Sequence, residues 1–405
     1  MVDHHLTRSR EFVVRVITEV LNDKVTIAQA WSRVVYQSEG REPHDAPWCR
    51  EMVAGILRYK SRLDWIMDTY SHKKKPTGWT RKALYLGIYP LLAQEAAIPG
   101  KIVSEVVDFI KEKQGSQSGD FVNAVLRQVT ESLDQWKSWK PSENSGEPEW
   151  LAWTGLPEWL WERLSREYGR EWAIEFSQTM MNRPEFYMIN RDGKTEKLAG
   201  DPGESVGSDS YVQDLSSQAL VKRVHETLVE KGIPEADFLD ICSAPGGKAI
   251  GLAFLGHSGI AMDESPKRLE LVRENIKRLG LAEKIRIYEQ KKIRAEDQFE
   301  LVWVDAPCTG IGTLRKNPEI RWVRDELAVE GLIKLQRKIV EDSLKHVKPS
   351  GFFVYSVCSV LKDEFEHVAE IMDSRDAKLV WKITIAPQEA PHGDGFQAGM
   401  WFRSP

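Results

Sequence analysis

Cysteine is scarce: Cys49, Cys242, Cys308 and Cys358 are the only four in a chain of 405 residues. So few thiols exclude a disulfide scaffold, and no CxxC or Cys/His cluster has zinc spacing, so no metal is expected. Long apolar runs are missing too. The longest, ALYLGIYPLLA (83–93), is too short to span a bilayer and contains Pro90, so no membrane association is expected. No basic segment followed by an apolar one lies at 1–12, which speaks against a secretory signal. With reduced thiols, the cytoplasm is the expected compartment. Excess positive charge is also absent, with a net charge of −5 and a pI near 6.1. That gives no global sign of nucleic-acid binding, although phosphate contact needs only a local field.

What is present points to a globular chain of two or three domains, with 41% hydrophobic and 29% charged residues. Residues 1–135 read as an all-helical domain. REFVVRVITEVLND sets Val13, Val16, Ile17 and Val20 on one helical face, and Gly119–Asp120 reads as a helix start. Arg58, Lys60, Arg62, Lys73, Lys74, Lys75, Arg81 and Lys82 form a basic run, either a solvated face or a phosphate-binding one. Residues 136–235 read as a linker, WKSWKPSENSGEPEW, followed by a mixed α/β bridging region. Tryptophans are dense there (Trp136, Trp139, Trp150, Trp153, Trp159, Trp161, Trp172), and docking onto neighbouring structure is favoured over stacking on bases.

From 236 to 405 strands and helices alternate. FLDIC, GIAMDES, KIRIYE, FELVWVDAP and GFFVYSVCS read as strands. KAIGLAFLG, PKRLELVRENIKRLG and LAVEGLIKLQRKIVEDSLKHV read as helices. This alternation predicts a doubly wound, Rossmann-like domain with ligands at the carboxyl ends of its strands. LDICSAPGGKA (239–249) is a strand, a two-glycine turn and a helix start, where backbone can approach a ligand and free N–H groups point outward. It matches neither GxGxxG nor GxxxxGK[ST]. Asp263 follows about twenty residues on, where an acid can bind ribose hydroxyls, so a nucleoside-bearing cofactor is expected. Two of the four cysteines, Cys308 and Cys358, sit at the ends of predicted strands.

CSAPGGK, DAPCTG followed by RKNPEIRW, YSVCS and GDGF together resemble the RsmB/Sun group. These are S-adenosylmethionine-dependent RNA 5-methylcytosine methyltransferases. The resemblance covers the whole chain: RPEFYMIN and VQDLSSQA are similar to the bridging region, and GILRYKSRLDWIM, RKALYLGIYPLL and GDFVNAVLR to the NusB-like RNA-binding domain of RsmB. It implies a monomeric enzyme acting on small-subunit ribosomal RNA. Carbon 5 of cytosine is too weak a nucleophile to take a methyl group from a sulfonium. Adding a thiolate at carbon 6 makes it reactive, and the adduct must then be released.

The resemblance assigns Cys358 as nucleophile and Cys308 as releasing group. Asp305 would bind the cytosine's polar edge, and Lys248 would stand in the active site, where its charge can lower a thiol's pKa. Cofactor contacts are expected from Cys242, Ser243, Ala244, Pro245, Gly246, Gly247, Lys248, Asp263, Arg268 and Asp305. Cys49 and Cys242 are read as structural thiols. Arg315, Lys316 and Arg321 are expected on the RNA backbone, and Gly393–Phe396 either over the site or in a plain turn. The family's acidic adenine contact has no clean counterpart: lysines stand in IYEQKKIR (287–294), and Glu289 is merely nearby. Val357 and Thr309 replace a threonine and a serine of the family, and neither change removes a reacting group. Two other readings remain. A non-catalytic RNA-binding factor fits poorly with the retained site residues, and an amino-group methyltransferase would carry (D/N)PP(Y/F) where DAPC stands.

Overall fold

The computed structural model describes residues 4–71, 75–198, 207–289, 293–294, 296–375, 377–389 and 392–405. It divides into two compact units. One is Met1–Asn182 with Leu314–Asp325; the other is Arg183–Thr313 with Glu326–Pro405.

The first unit is helical among its described residues, and its core forms where the helical spacing sets it. Val13, Val16, Ile17 and Val20 are buried against Ile56, Leu57, Leu84 and Leu126. Each such side chain taken from water contributes roughly 1.5–3 kcal/mol. The helix expected to open at Gly119–Asp120 begins at Ser116 instead, after Gly115 closes the preceding helix with φ +83°. The stretch expected as a linker is also partly helical, at Leu133–Ser138 and Glu147–Thr154. Its tryptophans are docked: Trp136, Trp150, Trp153 and Trp161 are buried. Trp139 stacks on Trp65 at 6.2 Å, and Trp136 Nε1 donates to the Tyr70 hydroxyl. The expected bridging region 136–235 is therefore shared between the units, because these indoles pack residues up to 182 into the first.

The basic run is largely spent inside this unit. Arg58 is buried and donates to the Arg315 carbonyl, and Arg62 donates to the carbonyls of Trp136 and Trp139. Lys60 and Arg81 both pair with Asp64, and Lys75 pairs with Asp68. Lys73 and Lys74 lie outside the described residues. The expectation for RKNPEIRW is corrected in the same way. Arg315 and Arg321 are 4% and 1% exposed, which leaves neither open to an RNA backbone. Arg321 donates to the carbonyls of Leu314 and Met180, Trp322 Nε1 donates to that of Leu57, and Glu319 accepts from the Ile27 N–H.

Among its described residues the second unit holds ten strands: β1 (Tyr187–Asn190), β2 (Thr195–Lys197), β3 (Ser210–Val212), β4 (Asp237–Ile241), β5 (Ser258–Asp263), β6 (Ile285–Glu289), β7 (Phe299–Asp305), β8 (Val347–Val357), β9 (Lys378–Ile385) and β10 (Phe396–Phe402). The first three form a small antiparallel sheet. The other seven form one sheet in the order β6-β5-β4-β7-β8-β10-β9, parallel except for β10, which runs antiparallel to both neighbours. This is the Rossmann-like arrangement. Its central strands are apolar on both sides because helices cover both faces. Along β7, Leu301 and Trp303 enter one core layer, and Val302 and Val304 the other.

Replacing Arg321 by Ala should leave the Leu314 and Met180 carbonyls unpartnered and cost roughly 3 kcal/mol. Thermal unfolding should show the loss, while the salt dependence of RNA binding stays unchanged; a flatter salt slope with full stability would return Arg321 to the RNA.

Candidate active site

The chain leaves β4 for β5 and β6 on one side, then returns to place β7 on the other. That reversal opens a crevice at the strand ends between β4 and β7. The parallel register sets Ile241 beside Met262 and Val304, and Asp305 beside Ser356. The residues just beyond these pairs are Cys242, Asp263, Cys308 and Cys358, so four expected site segments share one edge of the sheet.

A cleft of about 500 Å³ opens there, lined by Cys242, Asp263, Ser265, Arg268, Pro307 and Ile339 among others. That volume lies in the range of small-molecule sites. Asp263 is buried at the end of β5; it accepts from the Ser265 N–H at 2.9 Å and from Arg268 at 2.8 Å. The turn from β4 to the helix Gly247–Phe254 is held open by unusual backbone. Cys242 has φ +61° and Gly246 φ +104°, a conformation a side chain at 246 would strain. A Cβ on Gly246 would also stand 3.3 Å from both Ile250 and Val272. Beneath the turn, Asp240 accepts from the Ser243 hydroxyl and the Ala249 N–H through Oδ2, while its buried Oδ1 has no partner among the described residues. Burial pushes its carboxyl up to about 7 against the Ser243 hydrogen bond, with Asp305 adding to the rise. A cleft with both apolar and charged walls, a strained glycine cradle and a spare buried acceptor suit a nucleoside-bearing cofactor. Glu289, at the exposed end of β6, is not among the lining residues, whereas Ile293 is. Lys291 and Lys292 lie outside the described residues.

The two thiols meet. Cys308 Sγ and Cys358 Sγ are 3.2 Å apart, with Cys358 exposed and Cys308 half-buried. The hydrogen bond to Cys358 holds the Cys308 thiol well above its ordinary pKa, burial adds to this, and the charges of Cys358 and Glu364 act the same way. Of the pair, Cys308 keeps the proton. Lys248 Nζ lies 3.3 Å from Asp305 Oδ2 and 3.0 Å from the Ser217 hydroxyl. Burial works against its charge, but Asp305 overrides this and raises the amine above its usual value. The other carboxylate oxygen of Asp305 accepts from Ser356 at 2.6 Å, and Ser356 accepts from Trp303 Nε1. Cys49 and Cys242 are of a different kind: burial pushes each up to about 12.

Three loops lock the pair in place. Gly312 donates to the Cys358 carbonyl and accepts from Gly395, and a Cβ there would stand 1.9 Å from the Gly395 oxygen. The Gly393–Phe396 segment is thereby buried: the Asp394 N–H donates to Asp214, and Ser216 donates to the Asp394 carbonyl. Sequence reasoning missed Ser217, Ser356, Gln336 and Glu364. Ser356 stands inside YSVCS and was within reach of it; Glu364, in KDEFEHV, looks like an ordinary helix-start acid.

Residues 229–401 match the family model described as 16S rRNA methyltransferase RsmB/F, and residues 7–131 match that of the NusB family. The chain therefore carries an RsmB/F-type methyltransferase domain and a NusB-type domain. The chain is 27% identical to ribosomal RNA small subunit methyltransferase B of Erwinia tasmaniensis, over 87% of this chain and 89% of that one. It is 26% identical to the protein of that name from Photorhabdus laumondii, over 96% of each. Among solved structures it is similar to PH0851 (TM-score 0.67, 20% identity, 98% of each chain) and to NSun6 from Pyrococcus horikoshii, solved with SFG (TM-score 0.52, 17% identity, 62% of this chain and 98% of that one). These two support the fold. The methyl donor of the RsmB/F domain is S-adenosylmethionine. Among the described residues no helix is long and apolar enough to cross a membrane, and no group of three or more His, Cys, Asp or Glu could hold a metal ion.

Gly246→Val should combine backbone strain with a side chain pressed against Ile250 and Val272, and weaken S-adenosylmethionine binding. Calorimetry on the folded variant checks this; unchanged affinity would remove the turn from the cofactor site.

Proposed function

We propose that the protein methylates carbon 5 of a cytosine in RNA, small-subunit (16S) ribosomal RNA in particular, through a covalent cysteine–cytosine intermediate. The observation that carries this is the thiol pair at 3.2 Å, with Cys358 exposed and Cys308 half-buried. S-adenosylmethionine supplies a methyl group made electrophilic by its sulfonium, held by the 242–248 turn with Asp263 and Arg268 at its ribose end. The chain's own residues do the rest.

Cys358, the exposed thiol, attacks carbon 6 as thiolate, and the electron pair of the 5,6 double bond moves into the ring. Asp305, fixed by Ser356 and Lys248, accepts from the exocyclic amino group at the polar edge, and the Lys248 ammonium beside it offsets the charge the ring takes up. Once carbon 5 carries the methyl group it also holds a proton that must leave. Bonding of Cys358 to carbon 6 removes both its hydrogen bond to Cys308 and its negative charge, two of the causes that kept Cys308 protonated. Cys308 can then give up its proton to solvent and, as thiolate, take the proton from carbon 5. The 5,6 double bond re-forms and Cys358 leaves as thiolate. The coupling between the thiols thus orders the steps: the base becomes available only after the nucleophile is engaged. Reaching carbon 6 requires an unstacked base, at a cost of about a few kcal/mol where it is stacked.

Cys358→Ala should abolish methyl transfer and leave no covalent complex. Cys308→Ala should still attack and methylate but stall at release, giving a methylated RNA–protein adduct stable on denaturing gels, while Cys49→Ala behaves as the parent. The opposite pattern would exchange the two roles, and full turnover in both variants would exclude the covalent route.

RNA binding by residues 1–135 belongs to the same reading, supported by the NusB-family match. Neutralising Lys73, Lys74 and Lys75 should flatten the salt dependence of binding by roughly 0.7–0.9 log-slope units for each phosphate the variant no longer neutralises. An unaltered slope would leave these lysines as solvent-facing charges.

A further inference from the structure

Beneath the thiol pair lies a carboxylate with no part in the reaction as described. Glu364 is fully buried at the start of the helix Asp363–Asp373. Its Oε1 accepts from the Thr309 N–H at 2.8 Å and from Gln336 Nε2 at 3.0 Å, and its Oε2 accepts from the Thr309 hydroxyl at 2.6 Å. The same Gln336 amide donates to the Pro307 carbonyl at 2.9 Å. Cys308 is therefore gripped on both flanks, at Pro307 and at Thr309, and both grips end on Glu364. The Thr309 hydroxyl also lies 3.1 Å from that of Ser359, the residue after Cys358. The Tyr355 hydroxyl, on β8, donates to the Glu364 carbonyl.

We propose that Glu364 is the positioning residue of the thiol pair: a buried carboxylate that clamps the loop carrying Cys308 and, through Thr309 and Ser359, ties it to the turn carrying Cys358. The reach is set by chemistry. Backbone N–H, amide and hydroxyl are all donors here, and a carboxylate offers acceptors to all three at once. The charge has a second effect, since it is one of the causes that keep the proton on Cys308. The other groups facing that thiol are Cys358 and Tyr355, with Asp305 and Lys248 beside them; burial raises Tyr355 well above its usual value, so it stays neutral.

The proposal rests on the release role read for Cys308, and the test separates the two. Glu364→Ala should accumulate the methylated adduct as Cys308→Ala does, and slow turnover on a 16S ribosomal RNA transcript roughly tenfold or more. Glu364→Gln, whose amide keeps the shape and can still bond Thr309 and Gln336, should restore most of that turnover. In the Gln variant the pH midpoint of Cys308 alkylation by iodoacetamide, followed by mass spectrometry of its peptide, should fall by about one pH unit. That last measurement needs neither RNA nor turnover, so it reports on Glu364 even where Cys308→Ala forms no adduct and the release role itself fails. Parent-like turnover in Glu364→Ala, or an unmoved alkylation midpoint in folded Glu364→Gln, overturns the proposal. If the Ala variant does not fold, the Gln variant decides alone.

Discussion

The parallel pairing of β7 with β8, with Asp305 opposite Ser356, brings together two thiols fifty residues apart in sequence. Parallel neighbours end at the same edge of a sheet, so a residue a few positions past each end meets its counterpart without any special loop. The hydrogen bond from Ser356 to Asp305 crosses the same pair of strands, and Trp303 secures Ser356 from within β7. A register slip of one residue would turn every side chain of β8 to the opposite face. It would bury Ser356 among the aliphatic residues that now surround Tyr355 and Val357, and separate the carboxylate from its donor. The hydrophobic alternation that fixes this register in the two core layers therefore also fixes the chemistry at its end.

Charge is handled differently at the two ends of the crevice. At the cofactor end the buried Asp240 keeps an unpartnered oxygen, which a desolvated carboxylate tolerates poorly, and its pKa rises accordingly. At the thiol end each charge has a partner: Asp305 has Lys248 and Ser356, and Glu364 has three donors. Only the sulfur pair is left to share a proton. A site that must generate one thiolate, and hold back a second, gains from neighbours that are already satisfied.

The strands, the glycine turn and the two paired cysteines are legible in the sequence because each is a local signal: an apolar run, a turn with two glycines, a thiol at a strand end. What stays hidden depends on partners far along the chain. Arg58 reads as part of a solvated or phosphate-binding run and Arg321 as an RNA contact, yet their partners are the carbonyls of Arg315 and of Met180 and Leu314. Lys60 and Arg81 are taken by Asp64, which stands in the same stretch and marks the run as partly internal. β9 and β10 are not among the expected strands. β9 does alternate, Trp381, Ile383 and Ile385 with Lys382 and Thr384, a signal the reading passes over, whereas β10 carries Gly399, where a Cβ would collide with the Trp401 ring, and shows no such alternation.

Two of the departures from the family's motifs, Thr309 and Val357, are explained by their surroundings. Thr309, in place of serine, keeps the hydroxyl that reaches Glu364 and Ser359, so the clamp on Cys308 survives with one methyl group added. Val357, in place of threonine, is 1% exposed and packs into the core layer beside Tyr355. A threonine there would need a buried partner for its hydroxyl, at a cost of about 1–3 kcal/mol if none were found. Valine has the same branched shape without that demand. The position before Cys358, the proposed nucleophile, can therefore be apolar, because holding Cys358 falls to Gly312 at its carbonyl and to Ser359 beyond it.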